Sequence, residues 1–118
     1  MSTLRVTTLA TPAGVEVYTA KAWVNFNGTG TVAIRASGNV SSITDNGTGD
    51  YTVNFTVAMV DVNYAAVSTA GDSAASAPRV SGPTTAAAPT VSAYRLVNVL
   101  GSTSAAQDVS YVFIAFFR

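Results

Sequence analysis

The chain has 118 residues and a mass of 12.0 kDa, enough for one domain that buries about two-thirds of its unfolded surface, and too little for two. Six basic and six acidic residues cancel to a net charge of +0, so nothing in it attracts nucleic acid or an anionic membrane. Cysteine and histidine are both absent, which excludes thiol nucleophiles, disulfides, thiolate zinc sites, histidine general bases and Ser-His-Asp triads together.

Charged residues make up only 10% of the chain, against roughly 25% in ordinary soluble domains. So few charges leave little to keep copies apart, and the surface reads as one that other subunits cover. No run of about 18 uncharged apolar residues predicts a membrane span, and the N-terminus lacks the apolar core of a signal peptide.

In chain order, residues 1–20 read as an N-terminal arm with edge strands at Leu4–Leu9 and Val15–Thr19, separated by the turn Thr11-Pro12-Ala13-Gly14. The next stretch states one grammar twice. Alternating residues Ala22–Phe26 lead to Asn27-Gly28-Thr29-Gly30 and then Thr31–Ala36. Val40–Thr44 lead to Asp45-Asn46-Gly47-Thr48-Gly49 and then Asp50–Val57. Asn and Gly accept the positive φ that tight hairpin connections need, so the pattern predicts two successive β-hairpins running on as a meander. In the last run Tyr51, Val53, Phe55 and Val57 share a core face, while Thr52, Asn54 and Thr56 face water. Asp45 and Asp50 flank the second turn. An EF-hand spacing would put Gly47 and Gly49 where oxygens are needed, so these acids read as caps of the turn and no metal is expected.

The strings Ala22–Arg35 and Ile43–Phe55 resemble a module of bacteriophage tail-fibre and related virion appendage proteins, here in a short, stand-alone form. The likeness weakens after Phe55, with Val60 where the pattern has proline, and returns at Asp108–Arg118, which is similar to the terminal strand of the module. The resemblance implies a non-enzymatic structural component of the virion, assembled in the bacterial cytoplasm. It would work without cofactors as a homo-oligomer, a trimer by expectation, beside other tail or capsid proteins.

Trp23 points away from Ala22, Val24 and Phe26, either as an anchor at an interface or covered within one subunit. Residues 70–89 are rich in Ala, Ser and Pro, and read as loops with a short strand around Pro78–Ser81. Their exposed residues Asp72, Ser73, Arg79, Thr84 and Thr85 are the candidate recognition surface for a host glycan or receptor, if the loops are more than spacers. Thr90–Leu100 and Asp108–Arg118 read as strands with apolar residues on both faces. The second face of the last strand needs a partner, which makes Val112, Ile114 and Phe116 the candidate oligomer contact with Trp23.

Seven to nine short strands without helical period predict a single all-β domain over 1–118. An antiparallel β-sandwich fits best, with a jelly roll as one form of it. Three functions remain in contention. The first is an oligomeric fibre-like appendage module in contact with the host surface, and the second a capsid decoration, cement or head-fibre protein. The third is a carbohydrate-binding module. A glycan-cleaving enzyme would need two facing carboxylates, and Asp45 with Asp50 is the one pair placed for it.

Overall fold

The computed structural model describes residues 8, 10–15, 17–73 and 79–118. Eight strands form two four-stranded antiparallel sheets packed as a sandwich. They are β1 (Ala22–Asn27), β2 (Ala33–Gly38), β3 (Val40–Gly47), β4 (Asp50–Phe55), β5 (Ala65–Gly71), β6 (Arg79–Pro83), β7 (Ala93–Leu100) and β8 (Tyr111–Phe117). The first sheet has the order β2-β1-β8-β5 and the second β3-β4-β7-β6.

Both predicted hairpins form, but they do not continue as a meander. β1 and β2 lie in one sheet, β3 and β4 in the other, and the chain crosses between them at the single residue Asn39. Asn39 adopts φ 55°, a left-handed conformation that asparagine tolerates. Its side chain holds the corner: Nδ2 donates to the carbonyls of Lys21 and Val57, while Oδ1 accepts from the Val57 amide at 2.7 Å. A meander would leave the apolar faces of all four strands on one sheet with nothing to cover them, whereas the crossing folds one hairpin over the other.

The core lies between the sheets. Ala22, Val24 and Phe26 of β1 meet Tyr51, Val53 and Phe55 of β4 and Tyr94 and Leu96 of β7, and β8 contributes Val112, Ile114 and Phe116. At the end where β1 begins, Phe116 is ringed edge-to-face by Phe55, Tyr64 and Tyr94, with centroids 5.0–5.9 Å away. At the opposite end Phe26 meets Tyr51 at 5.2 Å.

That opposite end is tied by the doubled Asn-Gly-Thr-Gly turns. The Tyr51 hydroxyl sits 2.6 Å from the Gly28 carbonyl and 2.7 Å from Asp108 Oδ1, and the same carboxylate oxygen accepts the Gly49 amide at 2.7 Å. The Gly28 amide donates to the Val109 carbonyl. Both glycines are buried against backbone. A methyl at Gly28 would come within 2.9 Å of the Val109 carbonyl, and one at Gly49 within 2.6 Å of the Asn98 carbonyl at φ +66°. Burial, aided by Asp108, raises the pKa of the Tyr51 phenol far above its ordinary value and keeps it protonated as a donor.

Two expectations are corrected and a third falls almost wholly outside the described residues. Val15–Thr19 is not a strand at its described residues 15 and 17–19, because no described strand lies alongside to take its backbone bonds. Of Leu4–Leu9 only Thr8 lies within the described residues. The loop region 70–89 is shorter than its composition suggests, since β5 continues to Gly71 and β6 fills Arg79–Pro83 as an edge strand, where Pro83 is tolerated.

Two outcomes test this account. Tyr51→Phe leaves the Gly28 carbonyl and Asp108 short of a partner and lowers unfolding free energy by about 1–3 kcal/mol in urea melts. Gly49→Ala is expected to cost more than Tyr51→Phe, because the clash is with backbone and the φ is left-handed. An unchanged denaturation midpoint for both would refute the tie.

Candidate functional site

The two outer faces of the sandwich differ in kind. On the second sheet, Asn54 Nδ2 donates to Ser42 Oγ at 3.1 Å and Thr44 Oγ1 at 2.9 Å, and Asn46 Nδ2 donates to Thr52 Oγ1 at 2.8 Å. Beside them Arg95 grips Asp50 through two bonds of 2.8 and 2.9 Å. This face is wet, as the alternation in β4 predicts.

The outer face of the first sheet is apolar. Trp23 of β1 is 43% exposed, and Tyr111, Phe113 and Phe117 of β8 are 40%, 43% and 38% exposed, with Val67 of β5 at 61%. Four aromatic side chains of about 150–250 Å² each, some two-fifths exposed, present roughly 300 Å² or more of ring surface on one face. Patches of that size on a monomer are commonly functional. Arg35 brings a charge to this face: it lies 4.8 Å over the Tyr111 ring and donates to Asn25 Oδ1 at 3.1 Å. Arg35 reaches this position because a bulge between Asn25 and Phe26 shifts the register with β2.

A groove of ≈ 420 Å³ runs across this face. Its floor is Ala115 of β8, whose cross-strand partners are Trp23 on one side and Val67 on the other. Phe113, flanked by Asn25 and Thr69 in the same way, forms the next row. Trp23 also covers Gly38 of β2, where an added methyl would lie 2.9 Å from the indole Cδ1.

Of the residues singled out from the sequence, Trp23 stands on this outer face. Val112, Ile114 and Phe116 do not: they are 0–3% exposed and packed inside the sandwich. The two faces of β8 are the reverse of the sequence expectation. Both rows of β8 are apolar, so only pairing can tell which row turns inward, and Val112, Ile114 and Phe116 pair with the inward row of β1. The outward row, Tyr111, Phe113, Ala115 and Phe117, is the one left for contact.

The five loop candidates are split. Asp72 and Ser73 follow β5, where Ser110 Oγ approaches Asp72 Oδ1 and the Ser73 amide at 3.4 Å. Arg79 opens β6 opposite Leu100. Thr84, which accepts the Ala86 amide in a local turn, and Thr85 begin the connection leading to the other end of the sandwich. They do not form one surface with Asp72 and Ser73.

The described carboxylates are engaged in structural bonds. Asp45 caps its turn through the Gly47 amide, Asp50 is held by Arg95, Asp61 is held twice by Arg118, and Asp108 belongs to the Tyr51 tie. No group of three metal-binding side chains occurs among the described residues. Inside the core, Asn98 is fully buried opposite Ser81 of β6, and neither its side-chain amide atoms nor Ser81 Oγ has a hydrogen-bond partner among the described residues. Comparison of the chain with family models, with curated proteins and with solved structures finds no match in any of the three.

Two measurements follow. Hydrogen bonding and charge from Arg95 hold the Asp50 carboxyl below its ordinary value of 3.8. A depressed carboxyl contributes stability above its unfolded pKa and loses it as pH falls through the folded one. The wild type is therefore expected to lose stability below about pH 4 more steeply than Asp50→Asn, with the curves converging in acid. Parallel curves would refute it. Asn98→Leu removes an unpartnered polar group from the core and raises unfolding free energy by about 1 kcal/mol or more; a loss would contradict that reading.

Proposed function

We propose that the chain is a non-enzymatic structural protein of bacteriophage virions, an oligomeric and fibre-like appendage module with the host surface among its contacts. The observation that carries the oligomer is the contrast between the faces of the sandwich: one sheet turns hydrogen-bonded Ser, Thr and Asn outward, and the other turns out four aromatic rings and Val67. Surface of this kind is favourably removed from water by a second subunit. The phage assignment rests on the likeness of Ala22–Arg35, Ile43–Phe55 and Asp108–Arg118 to virion appendage modules. Those same residues build both turns of the tie and the strands that carry the outer aromatic face.

A second reading has its own observation. Trp23, Tyr111 and Phe113 stand on one sheet face with Asn25 and Arg35 beside them, and such rings and polar groups also suit stacking against a sugar. A carbohydrate-binding module predicts saccharide affinity in the isolated protein that is lost in Phe113→Ser. Capsid decoration uses the same oligomer and differs only in where the copies sit in the virion.

Light scattering at micromolar concentration is expected to give three times the 12.0 kDa subunit mass. Phe113→Ser should reduce that mass, and Thr44→Ser on the wet face should leave it unchanged. A mass of one subunit would overturn the oligomer, and calorimetric binding of host glycans by that monomer would establish the second reading instead.

A further inference from the structure

The same apolar face bears on the stretch that precedes β1. Every described residue from 8 to 20 is exposed, including Val15 at 63%, Val17 at 40% and Tyr18 at 79%. Among the described residues, the backbone bonds within this arm are Thr11 N to Val15 O and Gly14 N to Thr11 O, a turn closed on itself. Among the described residues, the Lys21 amide donates to the Phe116 carbonyl beside the β1–β8 pairing. The arm thus offers the exposed apolar side chains of Val15, Val17 and Tyr18.

We propose that the arm of one copy lies across the first sheet of a neighbouring copy, with Tyr18 seated over Ala115. Ala115 is a small floor between the larger walls Trp23, Val67 and Phe113, so the open groove of ≈ 420 Å³ has room at that point for a large side chain. Tyr18 is the most exposed aromatic residue described. Tyrosine suits the place: its ring meets the apolar walls, and its hydroxyl can reach Asn25 or Thr69 at the rim. The occupant belongs to another copy because the arm leaves its own sheet empty: the chain bends at Lys21, Tyr18 stands exposed, and no described arm residue lines the groove. Size agrees as well. The exposed rings and Val67 make up roughly half of the 800 Å² per partner typical of a stable interface, and the apolar residues of an arm supply further contact. The proposal rests on the oligomeric reading above and specifies how the copies are joined.

The chain has no native cysteine, so engineered thiols pair only with each other. Full-length Thr19→Cys, which keeps Tyr18, is mixed with full-length Val67→Cys under mild oxidation. A disulfide-linked pair of unlike chains is expected in the mixture, at twice the mass of one chain, and little of it in either variant alone. Trp23, the single tryptophan, lines the groove and reports on it in parallel. Tyr18→Ser and Ala115→Leu should each shift Trp23 emission toward the red at concentrations where the wild type is assembled. Each should also raise the dissociation constant about tenfold or more, as loss of an interface anchor does. If Val67→Cys couples only with itself, or if Tyr18→Ser stays assembled with unshifted emission, the arm is not the occupant while the oligomer stands. A wild-type mass of one subunit overturns both.

Discussion

The hydroxyl of Tyr51 holds together what the chain otherwise keeps apart. It belongs to the second sheet, yet it meets the turn of the first hairpin at Gly28 and the approach to β8 at Asp108, which also holds the turn of the second hairpin through Gly49. Two hairpins in opposite sheets and the strand that completes the first sheet therefore share one buried polar point. Hydrogen bonds in such a setting are costly to leave half-made, so the three turns are fixed as a unit. This stiffness makes the rest possible: a sheet face keeps its side chains in place when the strand order and register beneath it cannot slip.

On that frame the two sheets have been given different surfaces. Polar ladders cover β3 and β4 and need nothing further. β1, β5 and β8 instead present rings and valine with a small residue among them, and β2 adds one arginine anchored over a tyrosine. With charged residues at 10% of the chain, the proposed association would be governed by shape and apolar area, with little from long-range charge. The glycine at position 38 belongs to the same design, since the indole of Trp23 lies where its side chain would be.

Much of the fold could be read from the residues themselves. Alternation in β4 told core from water, because Thr52 and Asn54 differ sharply from Tyr51, Val53 and Phe55. The doubled turns announced both hairpins and the prolines excluded a helix. Where alternation had no contrast it could not orient a strand: Val112, Ile114 and Phe116 are as apolar as Tyr111, Phe113 and Phe117, and only the pairing with β1 separates them. Sheet membership was equally silent, because a crossing at one asparagine looks like any short turn. The tie at Asp108 joins residues 57 positions apart and left no local trace. Trp23 could be placed on the outer face because its neighbours Ala22 and Val24 are plainly inward.

β8 is the last of the eight strands in the chain and stands in the interior of its sheet, between β1 and β5. During synthesis from the N-terminus, the second sheet has all four of its strands while the first still has a gap at its centre. β1 and β5 cannot pair with each other across that gap, and their apolar inner residues wait for Ile114 and Phe116. The closing step is a contact between residues about as far apart in sequence as the chain allows, which is slow by its nature. Until it happens, an open sheet with two unpaired inner edges is the species most exposed to joining the wrong partner, so any helper in assembly would act there.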